Sequence, residues 1–414
     1  MKNRLPLFLI ALFLLISCIK TADRPGPALL NRLNWSEENF GVLNQLIRDY
    51  GIGGKYYEQD RPPYAVLDWD QTCAHLDVEE ALMRYQMFHL RYKLTKEQFA
   101  ALLHNEINGV TALAEEFGGV SLADIHQDLI SDYSLLYDRY IGPGQIPSPE
   151  ELKNCEQYQD FTAKLPFLYA GYCETAGIGD DYGYPWVLYL LAGHTTDEVK
   201  AMAREAISAE LGNSLAVHTL ESPAKSATKV GVVRYSYKSG LRVLPEMQDL
   251  IATFMANGID VFIVSASFKP VVEVFSGEGT FGYNVPTASV IGMELKTDEN
   301  GVIFPEYKEG WVKTYGQGKV EAIKRVIQTE AGRNWDPLFS AGDSNGDYEM
   351  STGFPEMKLS LIWDRGKGGK IGELCQMARE QESSAAPRYI LQGRNENAGI
   401  AIPVSASVLL GQPN

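Results

Sequence analysis

The chain is poor in the residues that bind soft metals. Its 414 residues include five cysteines and six histidines, and no Cys/His spacing among them matches a zinc site. Of the histidines, only His194 has an inviting local context, ahead of Thr195-Thr-Asp-Glu198. Positive charge is also short: 37 Lys and Arg face 53 Asp and Glu, a formal charge of −16. Nucleic acid requires a basic stripe, so a nucleic-acid partner is excluded. An anionic substrate would have to be met by a local positive site rather than by the overall field. After the first residues no apolar run approaches a membrane span, nothing is of low complexity and no unit repeats. What remains, roughly 390 residues of ordinary apolar content, is enough for a large core or for two domains.

The first residues are of a different kind. Met1-Lys-Asn-Arg4 is basic and Leu5 to Ile16 is almost wholly apolar, too short for a comfortable span but suited to a signal-peptide core. Leu15-Ile-Ser-Cys18 resembles the bacterial lipobox. That resemblance implies cleavage before Cys18, lipidation of Cys18, and a chain held by a lipid anchor in the cell envelope, at the periplasm, the outer membrane or the cell surface. The alternative is an ordinary secretory signal in which Cys18 is incidental. Residues 1–17 are thus expected to be leader and 18–59 a tether and N-terminal segment, with 21–32 as the tether itself. Outside the cytoplasm a disulfide is permitted, and Cys155 with Cys173 is the pair favoured by proximity. Cys73 reads as a small buried apolar residue.

From Asp77 to about His218 the periodicity is helical. Thr95-Lys-Glu-Gln98, Ser121-Leu-Ala-Asp124 and Thr195-Thr-Asp-Glu198 each open an amphipathic run. Loops rich in Gly and Pro are expected over 141–149 and 177–185. Beyond residue 230 strands and helices alternate. Leu244 to Asn257 is helical and stops at Gly258, and Asp260-Val-Phe-Ile-Val264 is a buried strand. Lys319 to Thr329 is helical, while Leu338 to Ala341 and Leu359 to Trp363 are strands. This pattern predicts an α/β fold with a parallel sheet covered on both faces. The helical block at 77–224 is predicted to be a cap inserted after the first core strand. The core is then expected at 60–76 and 225–375, with 376–414 as a C-terminal extension packing on it.

Chemistry concentrates at strand ends. Tyr64-Ala-Val-Leu-Asp68-Trp-Asp70-Gln-Thr72 ends an apolar run on two aspartates two apart, which an extended backbone turns to one side. Two carboxylates that close are costly unless a cation or a proton separates them. The bland alternative is a pair of turn formers. Ser265 follows the strand ending at Val264, Lys319 falls in the first turn of a helix after Gly316-Gln-Gly, and Gly342-Asp343-Ser-Asn-Gly-Asp347 follows another strand. Singly, each has an ordinary reading as a cap, a solvated charge or a loop former.

Together, strand-DxDxT, strand-Ser, Lys and strand-GDxxxD in this order resemble the four motifs of the haloacid dehalogenase-like hydrolases. Within that superfamily the chain is similar to the exported phosphorylcholine phosphatases, through Phe281-Gly-Tyr-Asn-Val-Pro286, Gly183-Tyr-Pro-Trp-Val187 and Gly193-His-Thr-Thr-Asp-Glu198. The resemblance implies a Rossmannoid parallel sheet with a large helical cap, and phosphomonoester hydrolysis with magnesium as cofactor. Asp68 would attack phosphorus and Asp70 would trade the proton as acid and base. Thr72, Ser265 and Lys319 would bind the phosphate. Asp68, the Asp70 carbonyl and Asp343 would hold the metal, and Asp347 would either bind it directly or hold a residue that does. Two departures stand out: Trp69 and Gln71 differ from the residues commonest at their places, and GDSNGDY carries one acid fewer than expected.

A large cap implies a small-molecule substrate. Its aromatics (Tyr169, Tyr172, Tyr182, Tyr184, Trp186 and Tyr189) could hold a quaternary ammonium by cation–π attraction, with Glu115-Glu116, Glu174 or Asp180-Asp181 adding negative charge. Aromatics at helical spacing are also what a core contains. Phosphorylcholine or a related amino-alcohol phosphate is therefore the leading substrate. A phosphoserine-like or broad-specificity exported acid phosphatase is the alternative, and a non-catalytic surface binding lipoprotein is a third possibility.

Overall fold

A seven-stranded sheet forms the base of the molecule. In this computed structural model residues 26–413 are described apart from 104–106, 108, 146–147, 225–227 and 383. The leader and Cys18 lie outside the described residues. The strands are β1 (Tyr64–Leu67), β2 (Asp260–Phe268), β3 (Val290–Met293), β4 (Phe339–Gly342), β5 (Leu359–Trp363), β6 (Tyr389–Asn395) and β7 (Ile400–Ile402). Their spatial order is β7-β6-β5-β4-β1-β2-β3. Six run parallel, and only β7 is antiparallel to its neighbour. Continuous burial along β1, β3, β4 and β5 is what a sheet covered on both faces requires. The chain leaves β1 toward β2 and β3 on one side and returns to build β4 to β7 on the other. Such a reversal opens a crevice outside the carboxyl ends of β1 and β4.

The cap enters directly after β1. Its helices include Val78–Phe88, Lys96–Leu103, Leu122–Leu136, Glu156–Glu174, Asp180–Tyr189 and Thr196–Gly212. Thr95, Ser121 and Thr195 start helices as expected; the Ser121 and Thr195 hydroxyls accept from the backbone three residues on. One hydrophobic cluster joins cap residues such as Phe99, Tyr133 and Phe161 to core residues such as Trp69, Leu250 and Phe339. Cap and core therefore share an interior. Among the described residues no helix is long and apolar enough to cross a membrane.

Several expectations are corrected. The cap boundary at 224 falls within a hairpin, Ala216–Glu221 with Arg234–Ser239, so the insertion continues to about Gly240. The loop expected over 177–185 turns helical at Asp180 and carries Pro185 within the helix. Proline has no N–H for the carbonyl four residues back, and that carbonyl, on Asp181, accepts instead from Lys313 Nζ. The tether stops short of residue 32: Leu30 N donates to Asn44 and Asn31 binds Asp249, ahead of a core-packed helix at Glu37–Tyr50. The C-terminal extension does more than pack on the core, since β6 and β7 complete its sheet. Cys155 and Cys173 are both free. They stand at opposite ends of the helix Glu156–Glu174, and a rise of ~1.5 Å per residue holds them some ~27 Å apart.

Three buried carboxyls and one ammonium link the cap helices. Lys164 Nζ donates to Asp128 at 2.9 Å and Asp160 at 2.7 Å. Asp128 also accepts from Lys229 N and Val230 N, fastening the hairpin. One ammonium cannot balance three carboxylates. Burial and the adjacent Asp160 push Asp132 up to about 9. A carboxyl whose folded pKa is raised contributes stability fully below its unfolded value, and loses it as pH rises toward the folded one. Asp132→Asn is therefore expected to melt higher than wild type at neutral pH, by a margin that widens from about pH 5 to about pH 9. Thermal unfolding across that range checks it, and a constant margin would refute the assignment.

Candidate active site

The crevice at the carboxyl ends of β1 and β4 gathers the acids. Asp68 follows β1, and its backbone N–H extends the ladder to Ala341 O at 3.0 Å. Its carboxylate accepts from Lys319 Nζ at 2.6 Å through Oδ1 and from Thr72 Oγ1 at 2.8 Å through Oδ2. Lys319 also reaches Asp347 Oδ1 at 2.7 Å. It is 1% exposed, and burial alone would strip its charge, but Asp347 and Asp68 hold it on. The turn after β1 needs Gln71 and Leu76 at positive φ, 62° and 67°. It is braced from below by Tyr283, whose hydroxyl donates to Cys73 O at 2.5 Å and accepts from Leu244 N at 3.1 Å. Trp69 packs against Tyr283 and Phe275, which accounts for an aromatic residue between the two aspartates.

Asp347 organises the loop after β4. Its Oδ2 accepts from Asp343 N, Ser344 N and Ser344 Oγ at 3.0, 3.0 and 3.1 Å. Gly342 is required here, because a Cβ would meet Asp347 Cβ at 2.5 Å. With Lys319 on its other oxygen, Asp347 has four donors and is chiefly a brace. Asp343 Oδ2 accepts from Arg365 Nη1 at 2.7 Å and Lys367 Nζ at 3.2 Å. Burial pushes Asp343 up, but Lys367, Arg365 and Arg394 outweigh it and hold the carboxyl below its ordinary range.

The two aspartates of the opening motif differ sharply in surroundings. Burial, then Asp347, push Asp68 up to about 7 against the pull of Lys319. Asp70 turns away from it, accepting from Val78 N at 2.7 Å and Ser267 Oγ at 2.6 Å. Burial and Asp77 push Asp70 well above the usual carboxylate range, the direction that suits a general acid.

Asp68, Asp343 and Asp347 each offer an oxygen within 4.8 Å of the others. An all-oxygen set suits a hard divalent cation such as magnesium. The side chain of Asp70 is not in this group. Two other expected residues already have partners within the protein. Thr72 is fully buried and spends its hydroxyl on Asp68. Ser265 is 1% exposed, its Oγ accepting from Ser267 N at 3.1 Å, while Ala266 and Ser267 form the adjacent wall. His194 lies in the cap with Nε2 on Arg91 O, away from the site.

Above the carboxylates a cavity of about 540 Å³ extends under the cap. Tyr169, Tyr184, Glu174 and Asp180 line it, whereas Tyr172 and Trp186 are core. Asp77, Glu79 and Glu80, at the start of the helix Val78–Phe88, complete the acidic side. Their signal in the sequence was visible but ambiguous, since acids are ordinary in a first helical turn. Burial pushes Asp77 up to about 7 and Glu79 to about 8. Tyr315 closes the mouth by donating to Asp181 Oδ1 at 2.7 Å.

A family model described as haloacid dehalogenase-like hydrolase matches residues 170–352. The interval begins within the cap and holds Ser265, Lys319, Asp343 and Asp347, while Asp68 lies before it. The chain is 25% identical over 279 residues to a phosphorylcholine phosphatase of Pseudomonas aeruginosa, covering 59% of this chain and 73% of that protein. A solved structure from Anaerococcus prevotii, described as a conserved functionally unknown protein, superposes with a TM-score of 0.83 at 32% identity, covering 92% of this chain and 98% of that one.

Removing the ammonium between Asp68 and Asp347 leaves two buried carboxylates unpaired. Lys319→Met is expected to cost about 3–5 kcal/mol at neutral pH, and less as the pH falls and the carboxyls take up protons. Urea unfolding in EDTA measures it; a loss that does not shrink on acidification would show that the electrostatics are misassigned.

Proposed function

We propose that the chain is a haloacid dehalogenase-like hydrolase, a reading the family match over residues 170–352 supports, and a magnesium-dependent phosphomonoesterase working through an aspartyl phosphate on Asp68. The observation that carries this is the seat of Asp68 at the switch point, bonded to Lys319 and within 4.8 Å of Asp343 and Asp347 oxygens. Asp68 attacks phosphorus, forming one P–O bond as the bond to the leaving alkoxide breaks. Asp70 protonates that alkoxide. It then takes a proton from the water that opens the acyl phosphate, and Asp68 is regenerated. Lys319 and Ser265 offset charge on the transferring oxygens, where phosphoryl transfer gains most, and Thr72 keeps Asp68 aimed. Magnesium would be held by the Asp68 and Asp343 carboxylates and the Asp70 carbonyl, and supplies charge cancellation between two anions.

The substrate is proposed to be a small phosphomonoester with a cationic tail, phosphorylcholine or a related amino-alcohol phosphate. The cap side of the cavity carries five acids, Asp77, Glu79, Glu80, Glu174 and Asp180, beside the rings of Tyr169 and Tyr184. A cation there relieves the cost that raises Asp77 and Glu79, and ring faces favour an ammonium. The carboxylate of phosphoserine would be repelled by the same acids. The likeness to a phosphorylcholine phosphatase supports the same choice.

Phosphate release from p-nitrophenyl phosphate, with magnesium or with EDTA, tests the chemistry. Asp68→Asn is expected to lose at least about a thousandfold in kcat. A variant as fast as wild type removes Asp68 as nucleophile, and no magnesium-dependent turnover by wild type leaves a binding lipoprotein. In the same assay kcat/KM for phosphorylcholine should exceed that for phosphoserine by about tenfold or more; the reverse order overturns the cationic assignment.

Export and lipid anchoring at Cys18 are proposed from the leader sequence alone. Expressed in its own cells, wild type should sediment with membranes and Cys18→Ala should not. Equal partitioning of the two would refute the anchor.

A further inference from the structure

Behind Asp343 runs a row of buried charges that the proposed reaction leaves without a task. Arg394 lies in β6 and Glu396 just beyond it, both fully buried. Arg365, two residues past β5, donates through Nη1 to Asp343 Oδ2 at 2.7 Å and through Nε to Glu396 Oε1 at 2.9 Å. Arg394 stands 3.5 Å from the same Glu396 oxygen. Its guanidinium also donates to Gln71, to the backbone carbonyl at 2.7 Å and to the side-chain oxygen. The second oxygen of Glu396 accepts from Lys238 Nζ at 3.1 Å and Leu410 N at 3.2 Å.

Such a network is a poor device for holding a strand, because apolar side chains of like volume stabilise as well or better. Its two ends are more telling. One is a carboxylate of the proposed metal site. The other is the residue between Asp70 and Thr72, whose φ of 62° lies where a non-glycine residue stays only if its surroundings hold it.

We infer that Arg394 and Glu396 are positioning residues for the reaction, an inference that rests on the hydrolase reading above. Glu396 holds Arg365 on one oxygen of Asp343 and leaves the other for the cation. It also cancels guanidinium charge that would otherwise compete with that cation for Asp343. Arg394 holds the Gln71 turn and so keeps Asp68 and Asp70 in their separate directions. A planar guanidinium meets the two Gln71 oxygens with a rigid fork, a geometry that an ammonium on a flexible stem does not fix. This also accounts for glutamine at position 71, where the family resemblance implies a different residue.

Calorimetric titration of the full chain with magnesium, without substrate, separates positioning from mere support. Glu396→Gln is expected to weaken magnesium binding by about tenfold or more, and to lower kcat toward p-nitrophenyl phosphate at unchanged KM. Lys238→Met touches the opposite oxygen of Glu396, off the path to Asp343, and should leave magnesium affinity within about twofold of wild type. Arg394→Lys should itself lower kcat relative to wild type. If Glu396→Gln binds magnesium and turns over as wild type does while melting lower, the network is structural and the inference fails. A wild type that neither binds magnesium nor hydrolyses the ester fails at the earlier reading and takes this one with it. Should Glu396→Gln not fold, Gln71→Gly removes the side-chain half of the Arg394 contact and eases the left-handed backbone. It should lower kcat without lowering the melting temperature, and an unchanged kcat would overturn the role of Arg394.

Discussion

The ammonium of Lys319 bridges Asp68 after β1 and Asp347 after β4, and the site depends on that contact. Carboxylates gathered at one sheet edge repel, and burial strengthens the repulsion. Each is tolerable only because a different partner answers it. Asp347 is saturated by Lys319 and the loop it braces, and Asp343 is answered by Arg365 and Lys367. Among the described residues Asp70 has no cation, only Val78 N and Ser267 Oγ, and burial and Asp77 push it well up. Asp68 sits between these conditions, held by one cation yet pushed up to about 7. Two carboxyls two residues apart thereby acquire different surroundings, the difference on which their proposed roles in attack and proton transfer rest.

The cap imposes a second polarity. Below the cavity are Lys319 and Lys367; on the cap side are Asp77, Glu79, Glu80, Glu174 and Asp180. A molecule with an anionic and a cationic end fits that gradient in one direction only. The insertion also controls the mouth. Pro185 leaves the Asp181 carbonyl without a helical partner, and Lys313 and Tyr315 of the core bind Asp181 there. Their loop continues into Lys319, and Thr314 within it donates to Ser265 O. Cap closure and the proposed phosphate site are thus joined through a few residues of backbone. Behind the crevice, Glu396 is bonded to Arg365 and Arg394 to Gln71.

Much was legible in the sequence because it is local. An apolar run ending in Asp68-Trp-Asp70, a glycine before Asp343 and a lysine in the first turn after Gly316 follow from the geometry of a strand end or a helix start. The order of strands and helices was enough to expect a parallel sheet and an inserted cap. Asp68, Lys319, Asp343 and Asp347 were accordingly found to converge. What remained hidden depends on which distant side chain arrives. Thr72 spends its hydroxyl on Asp68, and Ser267, which nothing in the sequence singled out, binds Asp70. Cys155 and Cys173 are held apart by the helix between them. Arg394 and Glu396, over 300 residues from the first motif, stand beside it only because β6 lies in the same sheet. By itself, then, the sequence determined the chemical groups and the strand ends that carry them. The tertiary structure decided their charge states and partners, because a buried charge is governed by its neighbours in space, and spacing along the chain does not record those neighbours.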